Sequence, residues 1–171
     1  MGQYPAAVAF SATRRAEPVC LTSGMAIRHA DPDDVADLLP LFRAYTDFYE
    51  ADPSDSGLEE MIRNVIELPD DQAFLLVAED GDELVGFACC NWKWSSLRGA
   101  RIVFLDDLYV RVESRGEGHA DSLIAACGEL GKERGAPIIS WLTAHDNKRA
   151  QAVYDRVGGT SESFLEYELE L

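Results

Sequence analysis

The middle of the chain carries three consecutive β-rich runs, at residues 73–79, 83–92 and 101–110. The first two are separated by residues 80–82, where a glycine between two aspartates is a strong signal for a β-hairpin. Three strand runs in succession do not fit the regular alternation of strands and helices in a doubly wound sheet. They predict instead a mixed sheet covered by helices.

Apolar residues recur at helical spacing on both sides of this block. A first helix is predicted over residues 31–48, beginning at an aspartate cap. A second helix is predicted to begin at a capping box formed by Ser56 and Glu59. Two later helices are predicted to end near glycines, at Gly135 and Gly158.

Short strands are interleaved with the later helices. One buried strand is predicted at residues 138–142, and an opening strand before His29. At the C-terminal end, apolar residues alternate with glutamates, which predicts a half-buried final strand. The alternating apolar residues are Leu165, Tyr167, Leu169 and Leu171. The predicted fold class is therefore α/β, of the α+β type, with a central mixed sheet of about six to seven strands flanked by about four helices.

The length of 171 residues suits one domain with its own hydrophobic core. Residues 1–24 show neither helical nor strand periodicity, so we expect a loose, flexible N-terminal extension. A single domain is expected over residues 25–171. The apolar share of 47% excludes intrinsic disorder for most of the chain.

The charge and the cysteines of the chain limit its partners. A formal net charge of −16 disfavours general binding to nucleic-acid backbone or anionic lipid, since both need a positive surface. No run approaches the roughly 18 apolar residues of a membrane helix. The four cysteines show no C-x-x-C spacing and no nearby histidine pairs, so no zinc site or disulfide framework is indicated. We expect a cytoplasmic protein that binds neither nucleic acid nor membrane and holds no metal.

The stretch from Asp106 to Ala120 has the pattern of an anion-binding loop. A strand enters a loop with glycines at 116 and 118, and the chain then turns helical. Such a loop presents backbone N–H groups at the positive end of a helix. Asp121 replaces the third glycine of a dinucleotide fingerprint, and no Gly-Lys-Ser/Thr of a P-loop follows. The alternative is a flexible surface turn.

Two motifs together resemble the GNAT superfamily of acyl-CoA-dependent N-acyltransferases, and in particular its members that acetylate small amines and diamines. The family signature is Arg or Gln, two residues, Gly, one residue, then Gly or Ala. In this chain it falls on Arg115, Gly118 and Ala120. A second cofactor segment of the family is matched by Asn147, Ala150 and Tyr154. The resemblance covers roughly residues 25–171, including the order of elements.

The resemblance implies binding of acetyl-CoA as co-substrate, with backbone amides of the loop on the CoA pyrophosphate and no metal. The strand before the loop would pair with the pantetheine arm, and Asn147 would bind a pantetheine amide. The cofactor-binding residues implied are Leu108, Tyr109, Val110, Arg115, Gly116, Glu117, Gly118, His119, Ala120, Asn147 and Tyr154. For Asn147 a simple helix cap is the alternative.

The resemblance also implies direct acetyl transfer to an amine in a ternary complex. Tyr154 would hydrogen-bond the departing CoA sulfur, Asp106 would receive the amine proton through water, and Asp107 would contact the ammonium. Regular strand alternation predicts that the two aspartates point to opposite faces. The alternatives are charges exposed at a strand end for the aspartates and an ordinary core residue for Tyr154.

An acceptor site is expected between the end of the first helix and the central strands. Tyr45, Tyr49 and Trp92 would give it aromatic walls for a cation, although aromatic residues at such spacing also suit a core. The expected function is an N-acetyltransferase for a primary amine, namely a small amine, a polyamine or an amino metabolite. A protein lysine or N-terminal acetyltransferase and a non-catalytic acyl-CoA sensor are the alternatives. The alternating C-terminal strand would also suit a homodimer.

Overall fold

A computed structural model describes residues 19–22 and 25–170. Six strands form one sheet in the order β1 to β6. The strands are β1 Val19–Thr22, β2 Met25–His29, β3 Ala73–Asp80, β4 Glu83–Ser95, β5 Ala100–Val110 and β6 Ile139–Trp141. Neighbouring strands are antiparallel except β5 and β6, which are parallel. The mixed sheet expected from the sequence is confirmed.

Four α-helices cover the sheet in the part of the chain that the structure describes. They are α1 Val35–Phe48, α2 Asp55–Glu67, α3 His119–Glu133 and α4 Lys148–Arg156. Short 3₁₀ turns lie at Pro32–Asp34 and Val112–Ser114. Helix α2 begins earlier than expected, because Ser54 rather than Ser56 caps it and its hydroxyl accepts a hydrogen bond from Gly57 N at 3.1 Å. The expected capping box is therefore wrong.

Two apolar clusters lie on opposite faces of the sheet. Helices α1 and α2 cover one face, where Phe42 stacks on Phe87 of β4 with ring centroids 3.8 Å apart. Helix α3 covers the other face, where Leu123 and Cys127 contact the strands and Tyr154 of α4 packs at the margin. We call these the α1 face and the α3 face. The central strands are buried on both sides, which explains the near-continuous apolar runs in their sequence.

Both ends of the chain differ from the sequence expectation. Val19–Thr22, inside the expected loose extension, forms a strand paired with β2, while residues 1–18 and 23–24 lie outside the described residues. At the other end, residues 159–170 form no strand. The expected final strand is therefore wrong for this single chain, because the segment pairs with none of the strands that the structure describes. Leu165, Tyr167 and Leu169 are 81–86% exposed there, and Leu171 is outside the described residues.

Candidate functional site

A cleft opens where β5 and β6 separate. The two strands pair only over Val103–Leu105 and Ile139–Trp141, and β5 then continues to Val110 paired with β4 but not with β6. Residues of both strands and of α1 and α4 line the cleft, namely Tyr45, Tyr49, Leu105, Asp106, Leu108, Trp141, Leu142 and Tyr154. Five predicted site residues, Tyr45, Tyr49, Asp106, Leu108 and Tyr154, therefore meet here.

A bulge in β5 lies at the mouth of this cleft. Cys89 of β4 pairs with Asp107 and Cys90 pairs with Leu105, so Asp106 is the extra residue. Leu105 and Leu108 consequently both contact the α3 face although they are three residues apart. A regular strand would place such residues on opposite faces.

The bulge directs both aspartates to the α1 face. Asn91, two residues from Cys89 of the α1-face cluster, donates a hydrogen bond from Nδ2 to Asp106 Oδ2 at 2.7 Å. Asp107 accepts a hydrogen bond from the hydroxyl of Tyr45 on α1. The expectation that the two carboxylates point to opposite faces is therefore wrong. The two carboxylates therefore lie on the same face, where the negative charge of Asp107 acts on Asp106.

Burial shifts the pKa values of these groups upward. It raises the pKa of Asp107, an effect partly offset by the hydrogen bond from Tyr45. Surrounding protein atoms also raise the pKa of Asp106, although this side chain still reaches solvent. The hydrogen bond from Asn91 opposes that shift, and the neighbouring Asp107 adds to it. A carboxylate with a raised pKa is a better proton acceptor than an ordinary one.

The hydroxyl group of Tyr154 is the expected acid of the cleft. Its ring lies 5.2 Å from that of Trp141, centroid to centroid, and burial, followed by the nearby Tyr49, raises its pKa to about 12. Against a thiol pKa of about 8.5, full proton transfer to a thiolate would be uphill by at most about 5 kcal/mol, because partial exposure leaves some solvent screening. This pKa difference favours hydrogen-bond donation over full proton transfer.

The loop between β5 and α3 has the backbone geometry of an anion cradle. Gly116 and Gly118 both have φ near +92°, a conformation that side-chain-bearing residues rarely adopt. No heavy atom lies within 4 Å of where a Cβ would sit at either glycine. Gly118 caps α3 without a side-chain hydrogen bond, so the first N–H groups of the helix have no side-chain cap. The loop can approach an anion from its open side.

The side chain of Arg115 anchors the cradle to β5. Its Nε donates to Val110 O at 2.7 Å, and its guanidinium carbon lies 5.5 Å from the ring centroid of Tyr109. The nearby Arg111 is paired with Glu83 at 3.0 Å. Arg115 therefore fixes the loop against the strand end while keeping a positive charge beside it.

His119 and Glu117 show features that the sequence did not predict. His119 is 2% exposed, its Nε2 lies 3.4 Å from Glu117 Oε2, and its Nδ1 has no hydrogen-bond partner among the described residues. Asp80 joins these two in a group whose ligand atoms lie within 4.8 Å of one another. These residues could hold a cation, but two of the three are exposed carboxylates at the rim of the loop. The one sequence signal for this group was a histidine at the start of the predicted helix, where it is buried in the structure.

The side chains of Asn147 and Trp92 are each held by a hydrogen bond in the structure. Asn147 caps α4, because its Oδ1 accepts a hydrogen bond from Ala150 N at 3.1 Å. The oxygen of this side chain therefore has the helix-capping role that was the alternative to binding pantetheine. Trp92 packs on the α3 face beside Phe74, and its Nε1 donates to Asp70 O at 3.0 Å. Trp92 is not among the residues that line the cleft.

Several cleft residues were not predicted from the sequence. Trp141 and Leu142 come from the short strand β6 and its exit. Asn91 of β4 does not line the cleft, but it holds the lining residue Asp106 by a hydrogen bond. The aromatic residue in the predicted strand 138–142 was the one signal that pointed to this wall. Tyr45 and Tyr49 were predicted, and their ring centroids lie 5.1 Å apart at the end of α1.

Among the described residues, no helix combines the length and apolar character needed to cross a membrane.

Comparisons with known proteins agree with this architecture. Residues 38–159 match the model of the acetyltransferase (GNAT) family. An uncharacterized N-acetyltransferase, YhfO, of Bacillus subtilis (strain 168) is 31% identical over 134 residues, covering 78% of this chain and 89% of the relative. A thialysine N-epsilon-acetyltransferase of Caenorhabditis elegans is 28% identical over 126 residues, covering 74% of this chain and 77% of the relative.

Solved structures share the fold. The crystal structure of a probable acetyltransferase has a TM-score of 0.73 and 27% identity, covering 85% of this chain and 97% of that one. The aminoglycoside N-acetyltransferase AAC(6')-Iy in complex with CoA also has a TM-score of 0.73, at 20% identity, covering 85% and 94% of the two chains. The second similarity is one of fold.

Proposed function

Because the chain belongs to the acetyltransferase (GNAT) family and is an acetyl-CoA-dependent acetyltransferase, we propose that it acetylates a primary amine of a small molecule. The amine would attack the thioester directly in a ternary complex. The observation that carries this proposal is the cleft, which holds the carboxylate of Asp106 and the hydroxyl of Tyr154 beside an aromatic pair. The carboxylate of Asp106 is suited to accept a proton from an ammonium. The hydroxyl of Tyr154 is suited to donate a hydrogen bond to the negative charge that develops on the thiolate.

The cradle and the cleft together support the binding of acetyl-CoA, which supplies the acetyl group. Backbone N–H groups of residues 115–120 would bind the pyrophosphate at the positive end of α3. Leu108, Tyr109 and Val110 lie beyond the last residue paired with β6, so this edge of β5 is open to the pantetheine arm. The side-chain NH₂ of Asn147 would serve a pantetheine amide while its Oδ1 caps α4.

The two carboxylates support a cationic acceptor. A primary amine with a pKa near 10.4 is neutral in only about one part in two to three thousand at pH 7, which costs about 4.6 kcal/mol of nucleophile availability. Asp107, held by Tyr45, would attract the ammonium, and Asp106 would take its proton through water. Tyr45 and Tyr49 would cover the apolar part of the acceptor.

A buried thiol close to the carboxylates does not support a covalent acetyl-enzyme. Cys89 is 7% exposed, and its pKa is raised by burial and by the charges of Asp107 and Asp106. A thiol in such surroundings is protonated and a poor nucleophile. Direct attack by the amine, with Tyr154 donating to the sulfur, needs no such residue.

The experiment is a thiol-release assay with a panel of diamines, polyamines, amino metabolites and lysine peptides. Asp106→Asn is expected to lower kcat by about 10² to 10⁴, the usual contribution of a proton-transfer group. Tyr154→Phe is expected to lower kcat by about 10² to 10³, the usual contribution of one hydrogen-bond donor to developing charge. Asp37→Asn is the matched control, because it removes an exposed carboxylate from the start of α1. Thermal stabilisation by acetyl-CoA with no CoA release from any amine would favour the non-catalytic sensor. Release with peptides alone would favour a protein acetyltransferase.

We also propose a cytoplasmic homodimer in which no metal takes part in the reaction. Cys89, Cys90 and Cys127 are free thiols, and Cys90 Sγ donates a hydrogen bond to Cys127 Sγ at 3.5 Å instead of forming a disulfide, which suits a reducing compartment. Four large apolar side chains at the C-terminal end are 76–86% exposed, which suits a contact with a second copy.

A further inference from the structure

A histidine and two carboxylates from distant parts of the chain meet beside the cradle. Asp80 is the last residue of β3, Glu117 lies in the cradle loop, and His119 is the first residue of α3. One ligand atom of each lies within 4.8 Å of those of the other two. We call these three residues the rim cluster. None of them lines the cleft between β5 and β6, so the rim cluster is separate from the groups proposed for acetyl transfer.

The imidazole of His119 is a buried ring whose polar atoms are incompletely satisfied. The residue is 2% exposed, and its Nδ1 has no hydrogen-bond partner among the described residues. Its Nε2 faces Glu117 Oε2 at 3.4 Å, which is longer than an ordinary hydrogen bond from nitrogen to oxygen. Buried polar groups normally have good partners, and an exception calls for a ligand or another physical reason. Here the buried ring directs a nitrogen at a carboxylate without bonding it closely.

The two carboxylates of the rim cluster lack a basic partner. In the described part of the chain, neither Asp80 nor Glu117 forms an ion pair with a lysine or an arginine. Arg111, at the start of the cradle loop, pairs with Glu83 instead. Negative charge beside an anion cradle opposes the binding of phosphate groups. A cation held between the two carboxylates would remove this opposition.

The donor set favours a transition-metal ion over Mg²⁺ or Ca²⁺, because imidazole is a ligand for zinc and its neighbours whereas Mg²⁺ and Ca²⁺ prefer oxygen ligands. Zn²⁺ binds histidine nitrogen and carboxylate oxygen at about 2.0–2.2 Å, so ligand atoms in a tetrahedral site lie about 3.4 Å apart. The present separations, of up to 4.8 Å, would close through changes of side-chain rotamer at Asp80 and Glu117, which are both exposed. A water would complete the four ligands.

We propose that Asp80, Glu117 and His119 bind one divalent transition-metal ion, for which Zn²⁺ is the best fit. The ion joins the end of β3 to the cradle loop and neutralises the two carboxylates beside it. Acetyl-CoA therefore binds more tightly when the ion is present, a consequence that rests on the proposed function. The ion and the pyrophosphate use different atoms, because the ion takes side chains and the loop offers its backbone N–H groups to the phosphates. Since the rim cluster lies outside the cleft, the ion takes no part in the acetyl transfer itself.

The test titrates Zn²⁺ into the untagged full chain, freed of metal by a chelator, and follows the heat of binding. One Zn²⁺ per chain is expected. Loss of even a residue that only orients a metal ligand usually costs about 10- to 100-fold in affinity, so Asp80→Asn is expected to weaken binding at least about tenfold. Asp82→Asn is the matched control, because it removes an exposed carboxylate of the same hairpin from outside the rim cluster, and it is expected to bind as wild type does. Circular dichroism establishes that both variants are folded.

Nuclear magnetic resonance of the imidazole rings locates the ion. The chain has three histidines, and the ring signals of His119 are expected to shift with Zn²⁺ while those of His29 and His145 stay in place. Absence of Zn²⁺ binding, equal binding by Asp80→Asn, or a shift at another histidine would overturn the site and leave His119 as a partner of Glu117 alone. Equal binding of Mg²⁺ or Ca²⁺ would indicate general attraction to an acidic surface and would also overturn it.

Calorimetry of acetyl-CoA binding tests the link to the cradle. The Kd for acetyl-CoA is expected to be several-fold lower with Zn²⁺ bound in the wild type and unchanged by Zn²⁺ in Asp80→Asn. Linkage then requires that acetyl-CoA raise the affinity for Zn²⁺ by the same factor. Binding of Zn²⁺ without any effect on acetyl-CoA would overturn this link. Both measurements register binding and not turnover, so a failure to acetylate any amine would overturn the proposed function and leave the metal site standing.

Discussion

Replacing Tyr45 by phenylalanine tests whether the hydroxyl of α1 controls the charge of Asp107. In the wild type, burial raises the pKa of Asp107 and the hydrogen bond from Tyr45 lowers it. The hydroxyl stays protonated and donates to the Asp107 carboxylate, because burial and the nearby Asp107 hold the pKa of Tyr45 above its usual range. Tyr45→Phe removes the opposing contribution, so the pKa of Asp107 is expected to rise further.

The magnitude follows from the nature of this bond. A hydrogen bond to a charged group contributes about 1.5–3 kcal/mol, and the lower end applies because Asp107 is only half-buried. The variant is therefore expected to lose about 1.5 kcal/mol of stability at pH 7, roughly a tenfold change in the folding equilibrium. A folded pKa above the unfolded value means that the folded state binds the proton more readily. The stability cost is thus absent below the unfolded pKa and grows as pH rises through the folded one.

Denaturant unfolding at pH 7 and at acidic pH measures this difference, and the pH profile of kcat/KM gives a second readout. Tyr49→Phe is the matched control, since this tyrosine contacts the same aromatic cluster but is 46% exposed. The acidic limb of the profile is expected to move to higher pH in Tyr45→Phe and to stay in place in Tyr49→Phe. An equal loss of stability at both pH values would refute the electrostatic role and indicate a packing defect.

Three further substitutions test the cradle and the core. Arg115→Ala removes the anchor to β5 and a positive charge, so the KM for acetyl-CoA is expected to rise several-fold with less effect on kcat; an unchanged KM at moderate salt would contradict this role. Gly118→Ala forces a side chain into φ +92°, so steady-state kinetics should show a raised KM for acetyl-CoA and unfolding a loss of about 1–2 kcal/mol. Phe42→Ala removes a ring stacked on Phe87 and is expected to cost about 3–5 kcal/mol in denaturant unfolding; a loss below 1 kcal/mol would contradict the packing.

The sequence predicts the sheet well where several patterns agree. The runs at 73–79, 83–92 and 101–110 correspond to β3, β4 and β5, and the turn at residues 80–82 to their first hairpin. These strands have strong β propensity, clear turn residues and burial on both sides, so local preference and packing point to one structure. Bounds are less predictable, as the cap of α2 at Ser54 illustrates, because neighbouring serines offer the same hydroxyl chemistry.

The sequence predicts the members of the site better than their arrangement. Alternation assigns a face to Asp106 and Asp107 only if the strand is regular, and nothing in the local sequence marks an extra residue. The distinction between Tyr45, which lines the cleft, and Trp92, which lies on the α3 face, depends on the pairing of distant strands. Likewise, the alternation at the C-terminal end indicates a covered face without indicating which chain covers it.

The bulge in β5 links the two chemical features of the cleft. Leu105 is the last residue of β5 paired with β6, and Asp106, the next residue, is the one inserted by the bulge. One irregularity therefore marks the point where the strand edge becomes free and also turns two adjacent carboxylates to the α1 face. Shifting the bulge by one residue would exchange the faces of the intervening side chains and direct a carboxylate into the α3-face cluster. The position of the bulge, rather than the mere presence of two aspartates, thus determines whether the two carboxylates and the open strand edge coincide.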